Sequence, residues 1–242
     1  MKRFFKAHLA RSFVIIFVIS FIFMVGLSAL LDALNLPGAG MDETRLSALI
    51  NLLWYTMLFG LFSWLGFTYL WRNQWTVFRH HFRRHLLMVL LGLFLLFTFN
   101  LWVAQFMISM GFDLGSANQD ALIAMAQAHP LTQGAVIVMA VLFAPLVEEL
   151  VYRKGVFEWA EKKGGMILAF TLNTFLFGLM HVLFDLGNFF SILPYLAAGA
   201  VLTYIYLLSQ RVIWVPILVH MSYNLISLLV IFSALQEHFS GI

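Results

Sequence analysis

Two carboxylates, two imidazoles and a carboxamide lie within 77 residues of this chain, in stretches that are otherwise apolar: Glu148, Glu149, His181, His220 and Asn224. A carboxylate in a partly wet, low-dielectric pocket can act as a general base and take a proton from water. An imidazole can relay that proton or deliver it to a leaving amine. A carboxamide can donate an N–H to a developing oxyanion. The chain has no cysteine, and no pattern in it marks a serine nucleophile. The chemistry that fits is attack of activated water on an amide or ester. Two His and one Glu are also a ligand set for catalytic Zn²⁺. Glu148, His181 and His220 would then hold the metal and Glu149 could be the base. HExxH is absent, and the residues alone leave both schemes open.

Helical spacing divides the roles. Glu149 and Arg153 are four apart, acid before base, the arrangement of an intrahelical ion pair. Glu148 points about 100° away and has no cation at that spacing, so it is free for chemistry. His220 and Asn224 share one face, as do Asn173, Phe177 and His181. Pro145 and Pro216 precede Glu148 and His220 by three and four residues, and proline inside a helix frees a carbonyl and bends the rod. Asn100, Asn173 and Gln105 read as groups that bond a neighbouring helix.

The elements that must carry these residues are membrane spans. Of the 242 residues, 62% are hydrophobic and 10% charged, and mean hydropathy is +0.93. Soluble domains carry about 25% charged residues, so a soluble enzyme and a nucleic-acid binder are excluded. A bilayer core of about 30 Å takes about 20 apolar residues as helix. Seven segments qualify: roughly 12–34, 46–71, 86–110, 133–152, 166–184, 191–209 and 213–235. The first is expected to be an uncleaved span and not a signal peptide, since its apolar run is about 20 residues and lacks a clear small-x-small cleavage site. The expected fold is all-α: a single polytopic membrane domain over 1–242, with a conical polar cavity formed by the late helices and a functional core at 133–235.

Charge sets the expected orientation. With the N-terminus inside and seven alternating spans, thirteen of the fourteen Lys and Arg fall on the cytoplasmic side, and Arg45 alone falls outside. That predicts N-in, C-out. Residues 35–45 are expected as an outer loop. Residues 72–85 are expected as a basic inner loop whose His80, His81 and His85, with Trp71 and Trp75, contact headgroups. Residues 111–132 form the longest outer loop, with a short surface helix at 117–127 stopped by Pro130. Gly164 and Gly165 mark a reversal. Glu148 lies sixteen residues before it and His181 sixteen after, so an antiparallel hairpin brings them level. The amphipathic stretch 155–163 suggests a tip that protrudes into the cytoplasm, with Glu148 about 5–8 Å below the inner surface.

At these residues the sequence resembles the CAAX proteases and bacteriocin-processing proteins, which include the type II CAAX prenyl endopeptidases. The marks are EExxxR at Glu148–Arg153, FxxxH at Phe177–His181 and HxxxN at His220–Asn224, all present and in order. The resemblance covers about 133–235. It implies an intramembrane endopeptidase acting on membrane-associated peptides or proteins, with a site open toward the cytoplasm and a peptide substrate at that face. By resemblance Glu148 activates water, His181 and His220 are catalytic, Asn224 stabilises the oxyanion, and Glu149 and Arg153 support the site. The family carries both a metalloprotease label and a metal-free glutamate mechanism, so a divalent cofactor such as Zn²⁺ stays an open alternative. The compact chain looks bacterial, implying the plasma membrane. Two other readings stand beside the enzyme: a non-catalytic scaffold or immunity protein of the same family, and a proton-coupled transporter.

Overall fold

In a computed structural model that describes residues 2–33 and 43–240, apolar runs become long helices, because lipid offers a backbone amide no partner outside its own helix. They are α1 (Lys2–Ala33), α2 (Glu43–Leu65), α3 (Trp75–His80), α4 (Phe82–Ser109), α5 (Ala117–Ala128), α6 (Pro130–Val138), α7 (Ala144–Glu149), α8 (Glu158–Val182), α9 (Ile192–Leu208) and α10 (Trp214–Ser240). Wider π turns at Thr68–Gln74, Met139–Phe143 and Leu150–Phe157 join several of them, and a 3-10 turn at Leu186–Ser191 precedes α9. No strand occurs among the described residues. The expected loop at 35–45 falls outside them, except for Glu43 to Arg45, which begin α2.

Among the described residues, six stretches are long and apolar enough to cross a membrane: Leu9–Leu30, Thr44–Leu65, Phe82–Ser109, Pro130–Val182, Gly187–Leu208 and Trp214–Ser233. The chain is thus a polytopic helical bundle. The fourth stretch, 53 residues long, contains two of the segments separated in the sequence. It is broken where expected: Gly165 has φ +78°, a conformation other residues rarely hold. The arms fold back on each other, for Tyr152 meets Phe177 with ring centroids 5.2 Å apart.

One expectation about the connections is corrected and another narrowed. Residues 72–85 are almost wholly helical, interrupted at His81, and His85 is buried with its Nδ1 3.0 Å from the Phe78 carbonyl. Only the end of the hairpin stands clear of the bundle: Trp159 and residues 162–168 are exposed, while Gly155, Val156, Phe157 and Ala160 are buried. The arm leading to the tip lies against α1: a Cβ at Gly155 would lie 2.4 Å from Val14 Cγ2. Only glycine permits that approach.

The two ends of the bundle differ. At one end, Gln74 Oε1 accepts the Ile213 N–H at 3.1 Å, Trp71 and Trp75 pack on Trp214, and Arg211 pairs with Glu161 at 2.7 and 2.8 Å. At the other, Phe112 stacks on Phe190 at 3.9 Å, Asn188 donates to the Gly115 carbonyl, and Ala117 N–H donates to Asp185. The helix expected at 117–127 forms as α5, begun by a Ser116 cap and followed directly by Pro130 at the start of α6.

Candidate active site

Glu148 sits on the kinked arm. Pro145 lacks an N–H, and the arm widens into π turns before and after α7. Such turns re-aim side chains and collect at functional sites. One carbonyl of the first turn is satisfied from another helix: Asn224 Nδ2 donates to Ala140 O at 2.8 Å.

Three of the predicted groups converge. Glu148 Oε2 lies 4.0 Å from His181 Nε2 and 3.9 Å from His220 Nε2. The other ring nitrogens are occupied. His181 Nδ1 donates to the Phe177 carbonyl at 2.8 Å, and His220 Nδ1 meets Glu149 Oε1 at 3.0 Å. A carbonyl and a carboxylate only accept, so both Nδ1 atoms carry the proton and both Nε2 atoms face Glu148.

The paired carboxylates differ as the spacing predicts. Glu149 is fully buried, with Oε2 3.0 Å from Arg153 Nε, an ion-pair contact without the alignment of a hydrogen bond. Arg153 is also fully buried; its Nη2 donates to Gly199 O at 3.4 Å and its guanidinium lies 4.8 Å from the centroid of Phe177. A buried pair of this kind is costly to break because removing one partner strands the other charge. Phe177 therefore has a structural purpose. Its ring packs on Arg153 and Tyr152, and on His181 at 4.7 Å.

Glu148, His181, His220 and Asn224 all line one cavity of about 770 Å³. Glu149 and Arg153 do not. The early helices, which showed no signal in the sequence, supply much of its wall: Phe17 and Phe21 from α1, Asn51, Trp54 and Tyr55 from α2, Phe97 and Asn100 from α4. The cavity is not built by the late helices alone. Tyr55 is the residue that sequence reasoning missed. Its hydroxyl donates to Glu148 Oε1 at 3.3 Å, and a tyrosine in an apolar span carries no mark of that partner. Tyr195 was missed as well; its ring stacks on His181 at 4.5 Å and its hydroxyl is 2.7 Å from Ser116 Oγ. Asn173 bonds a neighbouring helix through Thr203, as expected, whereas Asn100 donates within its own helix to Leu96 O.

Tyr55, in contact with Glu148, lies midway along the apolar stretch Thr44–Leu65.

A metal finds no ready ligand set. Zn–N and Zn–O bonds of about 2.0–2.2 Å put neighbouring donors roughly 3.3–3.6 Å apart. The Glu148–His distances are longer, and among the described residues no three His, Asp or Glu side chains are spaced to hold a metal ion.

One glutamate and two histidines, from three helices of a membrane bundle, thus face one cavity, with the second glutamate buried behind them. Residues 130–226 match the family model for type II CAAX prenyl endopeptidase Rce1-like proteins. The chain is 31% identical over 114 residues, 47% of its length and 43% of the relative's, to a Bacillus subtilis (strain 168) protein described as "Putative membrane peptidase YdiL". It is 28% identical over 124 residues, half of its length and 35% of the relative's, to an uncharacterized protein of Mycoplasma capricolum. The matches span less than half the length of these curated relatives. No solved structure matches the chain significantly.

Proposed function

We propose that the chain is an intramembrane endopeptidase in which Glu148 activates water. The observation that carries this reading is the triangle of Glu148 Oε2 and two imidazole Nε2 atoms at 3.9 and 4.0 Å. These gaps are too long for direct hydrogen bonds and suit one bridging water oxygen. Glu148 takes a proton from that water as the oxygen attacks the scissile carbonyl carbon. The C–N bond then breaks and the proton passes to the leaving amine, from Glu148 or through an imidazole.

Glu149 orients His220 through Nδ1, and Arg153 holds Glu149. Asn224 is the neutral donor available to a developing oxyanion; His181 and His220 donate there only after Nε2 takes a proton. Asn224 spends one amide N–H on Ala140 and keeps the second. The substrate is a membrane-associated peptide or protein segment and the setting a bacterial plasma membrane.

Glu148→Gln tests the assignment, since it keeps the shape and removes the base. Purified protein with a fluorogenic peptide should lose cleavage by about 10²–10⁴-fold, the usual worth of a general base. Cleavage retained within threefold would refute it. That result would favour a non-catalytic relative.

A further inference from the structure

The cavity has a closed end and an open one. Its lining at the closed end is buried: Leu96, Glu148, Tyr152, Phe177, Leu202 and His220. Leu114, Ala117, Asn118, Gln119, Ala121 and Phe184 also line it and are exposed. These lie on α5 and the segment leading into it and on the turn after α8, the end tied together by Ser116–Tyr195 and Ala117–Asp185. The hairpin reversal at Gly164 and Gly165 lies at the other end.

Charge sorts along the same axis. Arg72, Arg79, Arg83 and Arg84 sit on the turn before α3, on α3 and at the start of α4, with Lys162, Lys163 and Arg211 beside them on the neighbouring turns. The N-terminal part of α1 is at this end too, since Ala10 and Val14 touch Gly155, whereas Phe21 reaches Phe184 at the mouth. Around the mouth stand Asp113, Asp120 and Asp185, and Arg45 is the basic residue there, donating to Ala128 O. Lys and Arg accumulate in cytoplasmic loops. An N-in chain and a site opening to the cytoplasm therefore cannot both hold in this bundle.

We propose that the candidate active site is reached from the non-cytoplasmic side, through the mouth bordered by α5, and that it receives peptide segments presented at the outer leaflet. The second clause rests on the peptidase reading; the first does not. Among the described residues no Lys or Arg lines the cavity, whose charged groups are Glu148 and Asp185 with the two histidines. Amides (Asn51, Asn100, Asn224) and aromatic rings make up much of the wall. Such a lining accepts neutral, apolar segments and repels acidic ones.

The absence of cysteine makes the test direct. Ala121→Cys marks the mouth and Lys163→Cys the basic end; both positions are exposed. Each single-cysteine protein is treated with a charged, membrane-impermeant maleimide in right-side-out and in inside-out vesicles. Ala121→Cys should label at least tenfold faster in right-side-out vesicles, and Lys163→Cys at least tenfold faster in inside-out ones. Gln127→Cys, exposed on the same helix, serves if Ala121→Cys fails to accumulate. Mouth labelling from the inside-out face, or equally from both faces, overturns the proposal. The peptidase reading is scored separately by cleavage in detergent, where sidedness is lost. Loss of activity there with the predicted labelling would refute the enzyme and leave the orientation standing.

Discussion

Tyr55 lies outside the stretch that matches the family model, yet its hydroxyl is the direct hydrogen-bond donor to the Glu148 carboxylate. Tyr55→Phe removes one oxygen and keeps the ring that packs on Trp54 at 4.8 Å. A hydrogen bond to a charged group contributes about 1.5–3 kcal/mol net. At 3.3 Å the bond is long, which places it near the lower figure, about 1.5 kcal/mol, or roughly tenfold in rate. The loss should appear in kcat, with KM within about twofold, because the phenol positions the base and does not grip remote parts of the substrate. The assay is steady-state cleavage of a fluorogenic peptide by the parent, Tyr55→Phe, Glu148→Gln and the double variant, each checked for an unchanged melting temperature. With Glu148 replaced, Tyr55→Phe should cost nothing further, since coupled residues are not additive. A kcat within twofold of the parent, a loss confined to KM, or a full tenfold loss in the double variant would refute the reasoning.

Arg153→Met should destabilise the protein by about 3–5 kcal/mol, because Glu149 would keep a buried charge without its cation; adding Glu149→Gln should recover part of that, read by denaturant titration in micelles. Gly155→Leu should cost more than about 1–3 kcal/mol through overpacking against Val14, and a melting temperature equal to the parent's would contradict the helix contact. Prolonged dialysis against a chelator should leave cleavage within twofold of the untreated protein, as expected of a site whose donors are too widely spaced for a tight metal; a loss restored by Zn²⁺ would reverse that conclusion.

Much of the site was legible because helices convert sequence spacing into direction. Glu149 and Arg153 had to share a face, Glu148 had to point elsewhere, and the glycine pair had to sit where two equal arms bring Glu148 level with His181. The aqueous cost of long apolar runs dictated the membrane bundle, and basic residues graded its ends. What the spacing could not supply was anything between helices that are remote in sequence. Tyr55 meets Glu148 across 93 positions, and a tyrosine in a span reads the same whether it faces lipid, a neighbour or a carboxylate.

The cavity's walls and the end at which it opens depend on how early and late rods pack, and only tertiary contact decides that. Local periodicity records which way a side chain points around its own axis. It holds no information on which helix stands opposite, because in lipid every apolar face is an equally acceptable neighbour until small residues such as Gly155 and buried polar pairs such as Glu149–Arg153 select one arrangement.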